Sequence, residues 1–422
     1  MTIKRTIHCF AVLTFCLLCC SLHRDVCAAA LTDLINNNRA ITQIEVVTDP
    51  NIPRWQRPPK ALQIKDRKMI GDIMSMIMAG KPLVNDEKIK QMGGMISKYD
   101  IRLTANDQTW QEVTLVYDYA FWVGYIEVQG QKYEVNPDFF RYMYALNEYR
   151  KTDAKVDSRV IKLFKQYNRT VDYKVNENKS LLPADLKHEP GEYPTKIYWA
   201  YNNELSKNIG LDFSHCLGKN VDVEIYRLRE GLPGPNKEVR GIVVKYNGKI
   251  AGAYIDAGRH QCFACSLDRK TLKDITGREW EGWIENYAAQ DSKLAKQMSV
   301  MTPDEVITLY YEAMDKHDDK MQFACITRKR LSSFLSINMD NNELYNSPDK
   351  FADEQNIESA NLLDLKKVPI KQPEGTVVYE ATVDVVYKNE NLFKNGREGR
   401  FITLRQEIPG EGWRICEMGT GL

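Results

Sequence analysis

An asparagine–glycine pair between two apolar runs is the feature that most restricts the fold of this chain. Asn247 and Gly248 separate residues 240–246 from residues 249–256, and both runs are rich in Val, Ile, Ala and Tyr. A type I′ turn needs positive φ at both central residues, which Asn-Gly supplies better than other pairs. The pair therefore predicts two antiparallel strands joined by a two-residue hairpin.

Helical and strand-like runs alternate along the rest of the chain, so the expected fold class is α+β. At 422 residues the chain is long enough for several cores. Three consecutive small α+β domains are predicted, at residues 31–150, 193–298 and 299–422, with a linker and domain entry at 151–192.

The C-terminal domain begins with a capping box, in which Thr302 caps a helix, Pro303 takes its first position and Glu305 reaches back. Helical runs come first, and four strand-like runs follow. This order predicts a helix-lined curved antiparallel sheet. Alternation within residues 377–387 suggests an apolar concave face for a small apolar ligand. The candidate ligand-binding residues there are Val383, Val385 and Tyr387.

The first thirty residues resemble a cleavable secretory signal. Lys4 and Arg5 precede an apolar run at residues 7–22, and the small residues 28–30 follow. Basic flank, apolar core and A-x-A site define such a signal, and the run is short for a membrane span. We expect cleavage after Ala30 and an extracytoplasmic protein, secreted or associated with the cell envelope. Lipidation at Cys20 is the alternative.

Charge and cysteine content exclude two classes of protein. Without residues 1–30 the chain loses three basic residues and one acidic residue, which leaves 55 basic and 56 acidic residues. This near-neutral balance gives no electrostatic footprint for nucleic acid or an anionic membrane. Five of the ten cysteines also go, and the odd remainder argues against a disulfide framework. No later apolar run is long enough to span a membrane.

A lone C-x-x-C motif and the corner before it are the chemical candidates of the middle domain. His260, Cys262 and Cys265 could take part in a zinc site, but a second C-x-x-C is lacking. A redox disulfide and plain buried thiols are the other interpretations. Arg259 and His260 follow a strand and could hold a carboxylate or phosphate, unless an arginine there pairs with a carboxylate such as Asp256.

Several longer motifs resemble secreted bacterial proteins with two tandem domains of unknown function. In the C-terminal domain these are residues 302–306, 310–315 and 412–421, and this domain resembles the SnoaL-like and nuclear-transport-factor-two-like superfamily of cystatin-like cones. Residues 197–206, 240–245, 252–260 and 265–269 carry the resemblance of the middle domain. Because helices and final strand pack together in such cones, the resemblance allows a disulfide between Cys325 and Cys416.

The function predicted from these features is a non-enzymatic binding or interaction protein of the cell envelope. Its partner would be an envelope protein, a wall component or a small apolar ligand, and no cofactor or catalytic residue is assigned. One alternative is an enzyme with its site in the cone cavity. The second alternative is a zinc-binding protein through the region of His260, Cys262 and Cys265.

Overall fold

The structure is a computed structural model whose described residues fall into two compact units, Met1–Arg150 and Lys151–Leu422. The signal-peptide prediction at residues 1–30 lies outside the described residues. No helix in the described part of the chain is long and apolar enough to cross a membrane. The described residues are 40–47, 62–83, 87–90, 92, 96–118, 122–148, 154–230, 240–256, 263–338, 356–389 and 394–421.

The N-terminal unit contains one seven-stranded antiparallel sheet with the order β2-β1-β4-β5-β6-β7-β3. The strands are Ile41–Val47 (β1), Leu62–Ile64 (β2), Lys81–Pro82 (β3), Ile96–Ala105 (β4), Trp110–Asp118 (β5), Val123–Val128 (β6) and Gln131–Glu134 (β7). The helices are Arg67–Met78 (α1), Glu87–Lys90 (α2) and Pro137–Glu148 (α3).

Helix α1 shows how the sequence builds this unit. The Asp66 carboxylate accepts hydrogen bonds from the first free amides of the helix, those of Lys68 and Met69. The buried residues of α1 follow at helical spacing, and burying each side chain contributes about 1.5–3 kcal/mol to the free energy of unfolding. They are Ile70, Ile73 and Ile77.

The middle sheet is an antiparallel meander with the order β11-β10-β9-β8. Its strands are Val171–Leu181 (β8), Asn220–Leu228 (β9), Arg240–Tyr246 (β10) and Lys249–Asp256 (β11). The helices around it are Ser158–Gln166 (α4), Thr195–Lys207 (α5), Leu272–Thr276 (α6), Trp280–Ile284 (α7) and Lys293–Ser299 (α8). The hairpin prediction is confirmed, because Asn247 and Gly248 have φ of 50° and 71° between β10 and β11.

Two glycines let aromatic side chains approach the two faces of this sheet. A Cβ at Gly241 would lie 2.5 Å from the Phe164 ring of α4. A Cβ at Gly252 would lie 2.4 Å from the Phe213 ring. Phe164 and Phe213 belong to separate buried clusters, so the sheet is covered on both sides.

Residues 158–181 differ from the expected linker, because they form α4 and β8 of the middle sheet. The sequence of β8 is polar, which is unusual for a strand. Its Lys174 is nevertheless buried, because Nζ lies 2.8 Å from Oε1 of Glu224. The C-terminal end of α4 lies just before Asn168. Asn168 has φ of 55°, and the Arg169 amide donates to the Phe164 carbonyl, as in a Schellman motif.

The C-terminal sheet has the order β12-β13-β14-β15 and is antiparallel throughout. Its strands are Ile357–Lys367 (β12), Thr376–Tyr387 (β13), Gly396–Arg405 (β14) and Arg414–Gly419 (β15). The helices Pro303–Asp315 (α9), Asp319–Ala324 (α10) and Arg328–Asn338 (α11) precede it. The capping box is confirmed at Thr302 and Glu305. The α+β prediction is therefore confirmed, with three antiparallel sheets among the described residues.

A buried carboxylate fixes the start of α11 and connects it to the middle domain. Glu407 accepts hydrogen bonds from the backbone amides of Arg328 and Lys329, at 2.8 and 2.9 Å, and from Nε1 of Trp280 at 3.0 Å. A carboxylate at a helix N-terminus is stabilised by the helix dipole. Next to it, the Arg328 guanidinium donates two hydrogen bonds to Glu411.

Candidate functional site

Of the chemical candidates in the middle domain, Cys265 is described and Arg259, His260 and Cys262 lie outside the described residues. The backbone of Cys265 pairs with Ile255, and its thiol is buried in the cluster that contains Phe164. Burial raises the pKa of this thiol to about 11, so it is protonated at neutral pH. The described residues contain no metal-ligand group of three or more His, Cys, Asp or Glu side chains. Zinc binding therefore stays a prediction.

Asp256, the carboxylate considered as a partner for Arg259, forms an ion pair with Arg240. Two hydrogen bonds of 2.7 and 2.8 Å join the guanidinium and the carboxylate, and both side chains are almost fully buried. The two residues lie opposite each other at the open end of the β10–β11 hairpin. This buried ion pair joins β10 and β11 at the open end of the hairpin.

The three residues assigned to an apolar concave face lie on β13 and pack into the C-terminal core. Val383 and Val385 are 1% and 4% exposed, and Tyr387 is partly buried against the same cluster. Their contacts are those of core side chains, and the cluster includes Val306 and Tyr310 of α9. Ligand binding by these residues stays a prediction.

The disulfide that the resemblance allows between Cys325 and Cys416 is not formed in this structure, in which both residues are free thiols. Ile415 faces the core that contains Cys325, and its amide donates to the Cys325 carbonyl at 2.8 Å. Successive side chains of a strand point to opposite faces. Cys416 therefore points away from Cys325, and its thiol contacts the Thr403 carbonyl at 3.3 Å.

A pocket of about 450 Å³ lies on the face of the C-terminal sheet that points away from the core. We call it the Arg330 pocket. The N-terminal part of α11, the segment before β13 and the outer residues of β14 and β15 surround it. Its lining residues are Thr327, Lys329, Arg330, Ser333, Gln372, Pro373, Thr376, Thr403, Arg405, Glu407, Cys416 and Glu417.

A β-bulge in β15 shapes one wall of the Arg330 pocket. Leu404 pairs with Ile415 and Thr403 pairs with Glu417, so Cys416 is the extra residue. Such bulges redirect side chains and are frequent next to functional sites. Here the bulge brings the thiol and the Glu417 carboxylate to the side of the sheet on which Thr403 lies.

Three basic side chains face this pocket, and two of them have no carboxylate partner among the described residues. The Arg330 Nε is buried without a hydrogen bond to any described group, and one Nη contacts the Cys416 carbonyl at 3.5 Å. Lys329 forms no ion pair within the described chain. Arg405 lies 3.1 Å from Glu281, in a partly exposed pair.

The two acidic residues of the pocket differ in how far they offset this charge. Glu407 is buried, and its carboxylate is taken up by Trp280 and the α11 amides. Glu417 is exposed to solvent. Burial raises the pKa of the Cys416 thiol despite the nearby cations Arg405 and Arg330, which act in the opposite direction. The pocket thus presents cations, hydroxyl groups and a protonated thiol.

Sequence reasoning missed this pocket, although the basic run at residues 328–330 was a usable signal. Thr327 precedes that run and could have been read as the start of a helix. The run alone does not separate Arg328, which is buried, from Arg330, which faces the pocket. That difference depends on how α11 packs against β15.

Comparisons with known protein families match two stretches of the unit Lys151–Leu422. Residues 163–255, in the middle domain, match a family model described as a domain of unknown function (DUF4830). Residues 304–419, in the C-terminal domain, match a second model described as a domain of unknown function (DUF4829). No curated protein matched the chain. The chain thus carries two tandem domains of unknown function, in agreement with that part of the resemblance.

Proposed function

We propose that this chain is an exported binding protein whose C-terminal domain holds a small anionic ligand in the Arg330 pocket. The observation that carries the proposal is the unbalanced charge of the pocket. Lys329 and Arg330 have no carboxylate partner among the described residues, and Arg405 has only the partly exposed Glu281. Guanidinium groups bind carboxylate and phosphate with two parallel hydrogen bonds, which favours these ligands.

The size and lining of the pocket support a small polar molecule rather than an apolar one. A volume of about 450 Å³ falls in the range of small-molecule sites. Thr376, Thr403 and Ser333 add hydroxyl groups that can donate to an anion.

The chemistry of the lining favours binding over catalysis. Cys416 is the thiol of the pocket, and its raised pKa keeps it in the weakly nucleophilic protonated form at neutral pH. Histidine, the usual base beside such a nucleophile, is not among the lining residues of this described pocket. The non-enzymatic function is therefore the one that we propose.

Export is the second part of the proposal and rests on the signal-like residues 1–30. Expression in a bacterial host, followed by fractionation and mass spectrometry of the N-terminus, tests it. We expect an extracytoplasmic protein that begins at Leu31. A cytoplasmic protein that retains residues 1–30 would contradict export.

Calorimetric titration with inorganic phosphate and with succinate tests the binding. These probes distinguish a phosphate site from a carboxylate site. We expect saturable binding of at least one probe, and a loss of at least about tenfold in affinity in Arg330→Gln, or about 1.4 kcal/mol. Arg397→Gln removes an exposed charge from β14 outside the pocket and serves as the matched control.

A thiol label gives a local measurement at the same pocket. Cys416 lines the pocket, whereas Cys216, Cys265 and Cys325 are buried. Phosphate or succinate should slow the reaction of Cys416 with N-ethylmaleimide, followed peptide by peptide. Binding of neither probe, or equal binding by wild type and Arg330→Gln, would show that the Arg330 pocket is not the site.

A further inference from the structure

A buried arginine of the middle domain lines a second pocket, separate from the Arg330 pocket. Arg169 follows the helix end at Asn168 and is 5% exposed. Its Nε donates to the Leu267 carbonyl at 3.3 Å. Arg169 lines a pocket of about 430 Å³, which we call the Arg169 pocket. The lining residues are Gln166, Tyr167, Asn168, Arg169, Asp268 and Arg269.

A tight turn places a second arginine in the same pocket. The Arg269 amide donates to the Ser266 carbonyl, and the Ser266 amide donates to the Lys270 carbonyl. Arg269 has φ of 72°, a left-handed conformation that a non-glycine residue adopts at a cost. The turn and the end of α4 thus hold two guanidinium groups at one pocket.

The nearby carboxylates are engaged elsewhere. Asp268 accepts a hydrogen bond from Asn208 at 2.9 Å and pairs with Lys270 at 3.2 Å. Glu230 accepts from both the amide and the hydroxyl of Thr170. No ion pair joins Arg169 to a carboxylate within the described residues.

The surroundings of Arg169 disfavour its charge in the absence of an anion. Burial lowers the pKa of Arg169, and the like charge of Arg269 lowers it further, whereas the Glu230 carboxylate acts in the opposite direction. The Cys265 thiol close by is protonated at neutral pH and adds no compensating charge. Among the described residues Arg169 has a carbonyl but no carboxylate as hydrogen-bond partner, and a buried cation in that state is unfavourable.

We infer that the Arg169 pocket is an anion-binding site for a phosphate or carboxylate group of a small molecule. Arg169 and Arg269 supply the charge, and the side-chain amides of Gln166 and Asn168 supply neutral donors. The site belongs to the middle domain and does not depend on the Arg330 pocket.

The experiment titrates the full exported chain with inorganic phosphate and, in a separate arm, with acetate. Arg269 is exposed, so Arg269→Gln should fold normally, and Arg278→Gln removes another exposed arginine of the same domain as the control. Arg169→Lys keeps the charge but loses bidentate geometry. We expect at least tenfold weaker binding at this site in Arg269→Gln and Arg169→Lys, and no change in Arg278→Gln.

Two further measurements distinguish binding at the Arg169 pocket from binding at the Arg330 pocket. Repeating each titration in an Arg330→Gln background removes the contribution of the C-terminal pocket. Hydrogen exchange should show protection by phosphate or acetate at residues 166–170 and 266–270, which Arg269→Gln abolishes. The inference is overturned if the Arg330→Gln chain binds neither anion, or if Arg269→Gln leaves binding and protection in that background unchanged.

Discussion

Arg328 and Arg330 stand two residues apart on the first turn of one helix, and their surroundings are opposite. Arg328 is buried and donates two hydrogen bonds to Glu411, with Glu407 3.8 Å away. Arg330 faces a pocket, with no carboxylate partner among the described residues. A buried charge that the protein pairs itself supports the structure, whereas a cation left open towards a pocket is available to a ligand.

The strongest test of this comparison removes the partner of Arg328. Glu411→Gln leaves a buried guanidinium without its main counter-charge, so the free energy of unfolding should fall by roughly 3–5 kcal/mol. Urea denaturation measures this change. Glu417→Gln, at an exposed position of the Arg330 pocket, should change it by less than about 0.5 kcal/mol. Equal losses of unfolding free energy in Glu411→Gln and Glu417→Gln would show that the buried partner of Arg328 matters no more to stability than an exposed carboxylate of the pocket.

The next largest effect concerns the bond between the Trp280 indole and Glu407. Trp280→Phe removes a donor to a buried carboxylate, which should lower the free energy of unfolding by about 2 kcal/mol. A double-mutant cycle with Glu407→Gln isolates the pair. A coupling energy near zero would show that the indole only packs there.

A pH effect follows from His188, which is fully buried near Arg328. Burial, and then the charge of Arg328, lower the pKa of His188 to about 3. The unfolded chain takes up this proton near pH 6.5 and the folded chain does not, so stability decreases as pH falls between those values.

The resulting loss is about 1 kcal/mol between pH 7 and 5.5, at no more than about 1.4 kcal/mol per pH unit. Urea denaturation at the two pH values measures it, and His188→Gln should remove it. His317→Asn, at an exposed turn, should retain it. The same pH dependence in wild type and His188→Gln would contradict the assignment.

The smallest effect on the free energy of unfolding is expected for Arg330, the arginine that faces the pocket. Arg330→Gln should change the free energy of unfolding by less than about 0.5 kcal/mol without ligand, because no ion pair of the described chain is broken. The same denaturation experiment measures it, beside Arg328→Gln. A loss as large as that of Arg328→Gln would make Arg330 a structural residue.

Features set by a few neighbouring residues could be predicted from the sequence. The Asn247–Gly248 turn and the Thr302–Glu305 capping box need only local backbone chemistry, and both are present. Strand β8 was missed because its lysines suggested a solvated linker, whereas Glu224 allows Lys174 to be buried.

The pockets could not be predicted because they depend on distant pairings. The Arg330 pocket requires the bulge at Cys416 and the alignment of α11 beside β15, where Ile326 bridges to Ile415. The Arg169 pocket joins a helix end to a turn about 100 residues later, as the Arg169–Leu267 bond shows. Such registers are decided by packing over the whole sheet.

The Trp280–Glu407 bond also limits how this chain can evolve by exchange of modules. Trp280 lies between the two stretches that match family models, and Glu407 lies inside the second. If a different C-terminal module replaced this one, the Trp280 indole would lose its hydrogen-bond acceptor unless the new module placed a carboxylate at the same position. The stretch between the two modules is therefore matched to the second module through this hydrogen bond.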